Sequence, residues 1–508
     1  MKRYVSIIYG SLITITAAIW PQLSHGQSFG NEWQEEFNRT AKSHLQEFEE
    51  TARSHFEQIR SNLNADFIKT IDNAWRDYRV MAGEERPQRK EPETIPVAPE
   101  LPDNKPAPDP LELIPGKINM PYVPVKPIDL TVPKNPQPLL VKEPRVMQFD
   151  FFGTKFQIKP CYYSNLDVRP DQNSIKQAWQ QCSASKQTDG LIDDCIRLRE
   201  SLRLPDMGYL WLLETVAEEI CPGNPDSQAF LTAYLLNQSG YDTKIGFSDS
   251  ALTLLFPTDV LVYATPRVEI DGKDYYIRNR KAAETYVRTF NTDFYKDGIE
   301  IRMVPDRMPE FPADQPGHVY SSGLWTSEPE FKVTVNEPLM KFMGEYPQIS
   351  WEYYAQAPLT EEFRANVLPV MAERTKGAGL NEYDGVRKLL AFLHYGFDYK
   401  EDHKQYGYEK VNFPDENFYY PFNDCEDRSI LFATLVREIY GLDVVLLHYP
   451  NHLSTAVNFN DPTAKGDFLT IDGKHYVVCD PTFSGAPVGM SMPQYASAKP
   501  EIYRIARR

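Results

Sequence analysis

One cysteine stands where a helix is predicted to begin. Cys425 lies in the run Asn-Asp-Cys-Glu-Asp-Arg-Ser at 423–429, and the apolar residues that follow keep helical spacing as far as Gly441. Backbone N–H groups in the first turn of a helix are unpaired, so they favour a thiolate over a thiol and can donate to a developing oxyanion. This position therefore predicts that Cys425 is a nucleophile.

A histidine and an aspartate complete a candidate catalytic triad. His452 opens one alternating run and Asp480 ends another. Asp472–Gly473 between them is a hairpin turn signal, which predicts antiparallel strands that bring a strand start and a strand end together. A cysteine on a helix with a histidine and an aspartate on strands matches a nucleophile, its general base and the group that orients the base.

Each member of this set also has a structural interpretation. A cysteine in a secreted protein is often half of a disulfide, and His452 could be a satisfied structural histidine, with His448 as a competing base. Asp480 precedes a proline and could serve only a turn. Because side chains alternate along a strand, Cys479 is predicted to face away from Asp480 and from the site. Only the complete set is specific for chemistry.

The segment from about 380 to 495 resembles the transglutaminase-like superfamily, most closely between 420 and 483. Asp-Cys-Glu-Asp at 424–427 is similar to the motif of the bacterial transglutaminase-like cysteine peptidases, and Asp-Pro-Thr at 480–482 resembles a box of the superfamily. The resemblance implies a papain-like fold, in which a cysteine helix packs on an antiparallel sheet.

Carried over by position, the family's roles fall on Cys425 as nucleophile, on His452 as general base and then acid, and on Asp480 as the group that orients the imidazole. His452 and Asp480 lie farther apart along the chain than in compact members, so an inserted loop is expected between them. The aromatic segment before the nucleophile is interpreted as a wall of the substrate groove, in which Tyr419 or Tyr420 could add an oxyanion donor.

The acidic residues around Cys425 require their own explanation, because Glu426 and Asp427 beside a thiolate should raise the pKa of the thiol. One interpretation is helix capping and complementarity to the helix dipole. The other is that Asp424, Glu426 and Asp427 help to hold a calcium ion, which the resemblance to calcium-dependent periplasmic members allows. Clustered carboxylates suit a hard cation, and three of them form part of its shell. No other cofactor is expected to be required.

The chain also resembles itself. Residues 224–279 echo 425–480 at a constant offset of 201 positions, with a helix, its glycine stop and an Ile-Asp-Gly-Lys turn in common. The candidate triad is not repeated, since its equivalents are Asn224, Ala251 and Asn279. The first copy is therefore predicted to be degenerate and inert. Residues common to both copies are then structural, which favours the capping interpretation of Asp427, whose equivalent is Asp226.

Composition and the N-terminus predict a secreted or periplasmic protein. The 508 residues are 42% hydrophobic with a formal net charge of −17, so the chain can bury two cores and nucleic acid is not expected as a partner. A basic start followed by an apolar run predicts a signal peptide at 1–26, and no later segment is long and apolar enough to span a bilayer. In an oxidising compartment, two disulfides in any of three connectivities are expected among Cys161, Cys182, Cys195 and Cys221.

Two segments of different character precede the globular region. Apolar residues recur every three or four positions within 27–85, which predicts a long amphipathic helix. Its aromatic stripe must be covered, either by self-association through residues 30–80 or by packing on the body. Residues 86–145 are rich in proline and are predicted to form a stiff, extended linker.

These observations predict an α+β protein with tandem transglutaminase-like, papain-like domains. The degenerate domain is placed at 146–290, with its repeat around 190–280, followed by a connecting region at 291–355 and a catalytic domain at 356–508. The expected function is a secreted cysteine hydrolase that acts on protein or peptide amide bonds through a thioester acyl-enzyme. The alternatives are a protein-glutamine acyltransferase and a non-catalytic envelope scaffold with a vestigial triad.

Overall fold

The computed structural model describes residues 51, 54–55, 57–87, 92–100, 109–119, 147–158, 166–248, 251–278, 285–295, 297–312, 318–322, 331–461 and 464–505. The predicted signal peptide at 1–26, Cys161 and Asn279 lie outside these residues. The described part is a mixed α+β structure with antiparallel sheets, which confirms the predicted class at that level.

The secondary structure follows the chain in this order. The α-helices are α1 (57–70), α2 (Gln172–Ser183), α3 (Lys186–Ser201), α4 (Asp206–Ile220), α5 (Pro225–Gln238), α6 (Glu337–Gly344), α7 (Trp351–Tyr354), α8 (Leu368–Ala372), α9 (Glu382–Gly396), α10 (Asp402–Tyr406) and α11 (Cys425–Tyr440). The strands are β1 (Trp75–Arg79), β2 (Glu112–Leu113), β3 (Met147–Phe151), β4 (Thr154–Ile158), β5 (Lys244–Phe247), β6 (Leu252–Phe256), β7 (Arg267–Ile270), β8 (Lys273–Ile277), β9 (Tyr286–Phe290), β10 (His318–Ser322), β11 (Phe331–Val335), β12 (Asp398–Tyr399), β13 (Phe422–Asn423), β14 (Asp443–Tyr449), β15 (His452–Asn458), β16 (Phe468–Ile471), β17 (Lys474–Cys479) and β18 (Glu501–Arg504). Short π-helical turns at Phe363–Val367 and Glu373–Gly377 flank α8, and 3₁₀ turns occur at Ile71–Asn73 and Pro414–Phe418.

Two six-stranded sheets organise the described part of the chain. Their strand orders are β1-β9-β5-β6-β8-β7 and β18-β14-β15-β17-β16-β2, and neighbouring strands are antiparallel except β16 and β2. The central order β5-β6-β8-β7 corresponds to β14-β15-β17-β16, and β9 and β18 are the equivalent neighbours of β5 and β14. The central strands therefore have the same connectivity in both sheets.

The pairing register repeats with the spacing of the sequence echo. Pairs in the first sheet recur 201 residues later in the second: Lys244 opposite Leu255 and Val445 opposite Ala456, and Arg267 opposite Tyr276 and Phe468 opposite Val477. The Asp-Gly turns at 271–272 and 472–473 have positive φ at both residues, as a two-residue hairpin turn of this kind requires. An ion pair is also repeated, because Lys273 binds Asp242 at 2.8 Å and Lys474 binds Asp443 at 3.1 Å.

A helix packs on each sheet at the repeated position, α5 on the first and α11 on the second. Helix α11 is buried from Cys425 to Ile439, because β14 and β15 cover one side and α8 and α9 contact others. The opposite face of the second sheet is buried as well, since Ala456 and Val478 lie in an apolar cluster with Leu113 and Ile502. The strand that begins at His452 is thus covered on both faces.

The N-terminal helix is shorter than predicted. Helix α1 ends at residue 70, and Trp75–Arg79 form an edge strand paired with β9, so the prediction of one helix over 27–85 is wrong at its C-terminal end. The apolar period continues through Trp75, but its ring packs against Phe247 and Phe290, and the strand gains hydrogen bonds that a helix would not offer there. Phe67 lies 4.5 Å from the ring of Trp179, so this part of the stripe is covered by the body. Self-association through 30–80 stays a prediction.

The described parts of the proline-rich segment, 92–100 and 109–119, contain no helix and are bonded to the second half of the chain. The backbone of Ala98 donates to Ser484, β2 pairs with β16, and Ile502 donates to Lys117, with both of these hydrogen bonds at 2.8 Å. Gly116 is required there, because a Cβ atom at this position would lie 1.4 Å from the carbonyl oxygen of Pro500. Residues 109–119 therefore contribute a strand to the second sheet, residues 92–100 are bonded to the turn after β17, and neither part is a free tether.

The predicted pair of disulfides is not formed. With one cysteine at position 161, two disulfides would require at least one bond among Cys182, Cys195 and Cys221, and no two of these three residues are joined. Cys182 and Cys195 are buried within the apolar core, where they pack as small apolar side chains. Among the helices that the structure describes, none has the length and apolar character needed to cross a membrane.

Candidate active site

Cys425 is the first residue of α11, as the sequence predicts. Asp424 caps the helix by accepting from the backbone N–H of Asp427 at 3.4 Å. The Cys425 side chain is 0% exposed, and its thiol donates to Glu426 Oε2 at 2.9 Å. The contact with Glu426 is a role that neither the capping nor the calcium interpretation anticipates.

The first turn of α11 is fastened to the start of β15. Ser429, one turn after Cys425, donates its hydroxyl to the carbonyl oxygen of Leu453 at 2.8 Å. Leu453 follows His452 directly, so this bond brings the beginning of the cysteine helix alongside the beginning of the histidine strand. Both ends of the bond are buried, which strengthens it relative to one exposed to water.

His452 and Asp480 are in direct contact. His452 Nε2 lies 2.7 Å from Asp480 Oδ2, and the other carboxylate oxygen accepts from the backbone N–H groups of Thr482 and Phe483 at 3.0 and 3.1 Å. Burial opposes ionisation of Asp480, but the nearby His452 ring and the donor N–H groups outweigh it and hold the pKa of Asp480 below its ordinary value. With Nε2 held by Asp480, Nδ1 is the ring nitrogen left for another partner.

Tyr495 covers this centre, although the sequence gives no signal for it. Its ring stacks on the ring of His452, with centroids 5.3 Å apart and an interplanar angle of 9°, and Tyr449 stacks on its ring at 4.6 Å. Burial raises the pKa of Tyr495, and Cys425 contributes to the same shift, so the thiol is a neighbour of this ring. His452 is only 1% exposed beneath this cover.

His394 is a second residue that the sequence analysis did not identify. It lies on α9, and its Nδ1 accepts from the backbone N–H of Gly485 at 3.3 Å, so Nε2 carries the proton and donates to the carbonyl oxygen of Asp480 at 2.8 Å. Burial lowers the pKa of His394 and keeps it neutral. His394 thus fixes the turn that carries Asp480. A buried histidine on an amphipathic helix has no sequence signature that separates it from a surface one.

The acidic cluster differs from the predicted set. Carboxylate oxygens of Asp402, Asp424 and Asp427 lie within 4.8 Å of one another, all three residues are buried, and Asp402 comes from α10. Asp427 accepts from the backbone and side-chain nitrogens of Asn412 at 2.8 and 2.9 Å, which supports its structural role. Burial raises the pKa of Asp402 to about 9 and that of Asp427 to about 7; repulsion from Asp427 and Glu426 adds to the first shift, and repulsion from Glu426 and Glu416 adds to the second.

A buried arginine balances part of this negative charge. Arg428 is fully buried on α11 and donates to Asn423 Oδ1 at 2.7 Å and to the carbonyl oxygen of Phe397 at 2.8 Å. Burial lowers the pKa of Arg428 to about 10, against the attraction of Tyr399 and Asp424, so it stays charged near neutral pH. Its bonds tie the residue before the helix cap to the end of α9.

The two candidate tyrosines are engaged elsewhere. The hydroxyl of Tyr419 donates to Glu337 at the start of α6 at 3.1 Å. The ring of Tyr420 faces the ammonium group of Lys410 at 4.8 Å. Their predicted roles as oxyanion donor or groove wall stay predictions.

At the position equivalent to Cys425, the first copy has Asn224, which serves as a helix cap. Asn224 caps α5 by accepting from the backbone N–H of Ser227 at 3.0 Å, and Asp226 accepts from the backbone N–H of Leu252 at 2.7 Å. The first bond caps the helix and the second joins its first turn to β6, and neither residue has a nucleophilic side chain. Burial raises the pKa of Cys479, which packs in the main apolar core with Val477, whereas Val478 packs in the cluster of the opposite face, as the strand alternation predicts.

Comparisons of the chain with protein-family models, with characterised proteins and with solved structures gave no match.

Proposed function

We propose that this protein is a secreted cysteine hydrolase that cleaves protein or peptide amide bonds. The observation that carries the proposal is the contact between Asp480 and His452, on a strand that is bonded at Leu453 to Ser429 in the helix that Cys425 begins. A buried, ionised aspartate orients an imidazole and stabilises its protonated form. Such a pair can act as a general base that removes the proton of a nearby thiol. The transglutaminase-like resemblance of 424–427 and 480–482 supports the same assignment.

The proposed reaction has two stages, acylation of Cys425 and hydrolysis of the thioester, and His452 acts as a base in each. His452 Nδ1 takes the proton of the Cys425 thiol, and the thiolate adds to the amide carbon. Backbone N–H groups at the start of α11 donate to the resulting oxyanion. The carbon–nitrogen bond then breaks as His452 returns its proton to the leaving amine, which gives a thioester. Water, deprotonated by His452, attacks the thioester, and the acid product leaves with Cys425 as a thiol.

Acyl transfer is the second candidate for the same site. The thioester would then react with a lysine amine, and a glutamine side chain would be the acyl donor. The burial of His452 and Cys425 favours this candidate in one respect, because exclusion of water prolongs the life of a thioester. Hydrolysis remains the first choice because the resembling motif at 424–427 belongs to peptidases.

One experiment separates these functions. A peptide mixture containing biotin-cadaverine is incubated with the protein and with a Cys425→Ala variant, and the products are read by mass spectrometry. Hydrolysis gives new peptide termini, transfer gives biotinylated glutamines, and both disappear in the variant. If the two proteins give equal amounts of product, or if neither gives any, the result would favour the non-catalytic scaffold with a vestigial triad.

Calcium binding is proposed at Asp402, Asp424 and Asp427. An all-oxygen donor set suits a hard cation, and the charge of a bound cation would favour the ionised forms of Asp402 and Asp427, which burial and neighbouring carboxylates oppose. Calcium should therefore raise the melting temperature of the protein and have little effect on an Asp402→Asn variant. The matched control is Asp398→Asn, which changes an exposed aspartate nearby and should keep the calcium response. A melting temperature that calcium leaves unchanged would contradict the proposal.

A further inference from the structure

A cavity of about 540 Å³ is lined by residues between 151 and 345, and Cys425 is not among them. Helices α4 and α5 form two walls, the turn between β3 and β4 forms a third, and residues after β8 and α6 close the sides. Its volume falls in the range of sites that bind small molecules or single side chains. All of the lining residues precede the predicted catalytic domain at 356–508.

One wall is aromatic and is held in a costly backbone conformation. Phe152 and Gly153 form the two-residue turn between β3 and β4, with φ of 52° and 85°. A left-handed conformation costs a bulky residue roughly 1–2 kcal/mol, and asparagine or glycine is preferred at this turn position. In this conformation the ring of Phe152 lies 5.7 Å from that of Trp211, and both residues line the cavity. Bulky residues in this conformation concentrate at functional sites.

The charged groups of the cavity are predominantly negative. Among the described residues, Glu214, Glu218 and Glu345 line it together with one cation, Arg278. Glu214 binds Arg278 through two hydrogen bonds of 2.7 and 2.9 Å, so the guanidinium is neutralised within the wall. The start of α5 contributes about half a positive charge, which is smaller than the two carboxylates that remain. The described lining of the cavity therefore carries a net negative charge.

We infer that this cavity binds a cationic side chain with a hydrocarbon stem, namely a lysine or arginine of a polypeptide. The ammonium or guanidinium group would lie near Glu218 and Glu345 and over the aromatic faces, where cation–π attraction adds to the ion pairs. The stem would pack against Phe152 and Trp211. The degenerate copy thus retains a recognition function, and this inference requires no chemistry at Cys425.

The test uses two probes that differ only in charge. Nα-acetyl-lysine methylamide and its norleucine analogue have the same stem, and only the first has an ammonium group. Binding to the full chain bearing Cys425→Ala, which prevents turnover, is measured by ligand-observed saturation-transfer NMR. The lysine probe should bind at least five-fold more tightly than the norleucine probe, and added salt should weaken its binding.

Charge-removing variants locate the binding site. Glu218→Gln and Glu345→Gln should each weaken the lysine probe about two- to five-fold, and the double variant about ten-fold. Glu219→Gln is the matched control, because Glu219 is exposed on the same helix but does not line the cavity. Trp211→Leu should weaken both probes, and the glutamate variants decide the matter should that protein fail to fold. Equal binding of the two probes, no binding of either, or lysine binding unaffected in the double variant would overturn the inference.

Discussion

Removing the ring that covers His452 should expose Cys425 to small reagents. Tyr495 makes two stacking contacts, one with His452 and one with Tyr449, and Cys425 has no exposed surface. Alkylation of a fully buried thiol requires a local opening, so its rate follows the population of the open state. Tyr495→Ala removes contacts that hold the site closed and should increase that population.

The structure sets the size of this effect. Aromatic pairs contribute about 0.5–1.5 kcal/mol each beyond area burial, so two pairs contribute about 1–3 kcal/mol. Because about 1.4 kcal/mol corresponds to a ten-fold change, alkylation of Cys425 should be faster by about 5- to 150-fold in the variant. The increase should be near five-fold if another side chain packs on the ring of His452 in the variant.

Peptide-mapped iodoacetamide labelling measures this rate with an internal reference. Cys479 is buried in β17 and reacts only when the sheet opens, so its rate should not change. Tyr503→Ala is the matched control, because the ring of Tyr503 packs on Trp351, 4.7 Å away, and not on His452. An unchanged Cys425 rate in Tyr495→Ala, or an equal increase at Cys479, would refute the assignment of Tyr495 as the cover.

Three further predictions concern the triad, the first copy and pH. Asp480→Asn should lower kcat/KM for a cleaved peptide by roughly 10²–10⁴-fold while circular dichroism stays native, because the amide cannot stabilise a charged imidazole. Asn224→Ala should leave turnover unchanged but lower the free energy of unfolding by about 0.5–2 kcal/mol in urea, since a helix cap is lost. Burial raises the pKa of Glu362 to about 7, so its stabilising effect is complete below the unfolded pKa near 4.3 and is lost as pH rises through 7. Glu362→Gln should therefore raise the melting temperature at pH 8 more than at pH 5, and an equal change at both pH values would contradict this.

Local signals in the sequence predicted the parts of the fold that short segments determine. The helix at Cys425 ends at Gly441 with a positive φ, and the turn at Asp472–Gly473 joins antiparallel strands, because these residues adopt positive φ at low cost and so favour a helix end and a two-residue turn. The echo of 201 residues likewise preserves strand order and register, since equivalent apolar patterns pack in equivalent ways.

Long-range packing decided what the sequence analysis missed. Trp75 continues a helical apolar period but lies in a strand, because its partner strand β9 is supplied by residues more than two hundred positions later. Asp402 joins the acidic cluster from a separate helix, and Tyr495 reaches His452 from a segment with no regular structure. Nothing in the neighbouring sequence of either residue marks such a contact.

The central claim is that His452, held by Asp480, activates Cys425. The most direct measurement is the pH dependence of Cys425 alkylation in the Tyr495→Ala protein, with and without His452→Ala, and with His448→Ala as the control. We predict that Cys425 reacts well below the pH that an ordinary thiol of pKa about 8.5 requires, that His452→Ala moves the profile to higher pH, and that His448→Ala does not. A profile of an ordinary thiol, or one that His452→Ala leaves in place, would contradict the account.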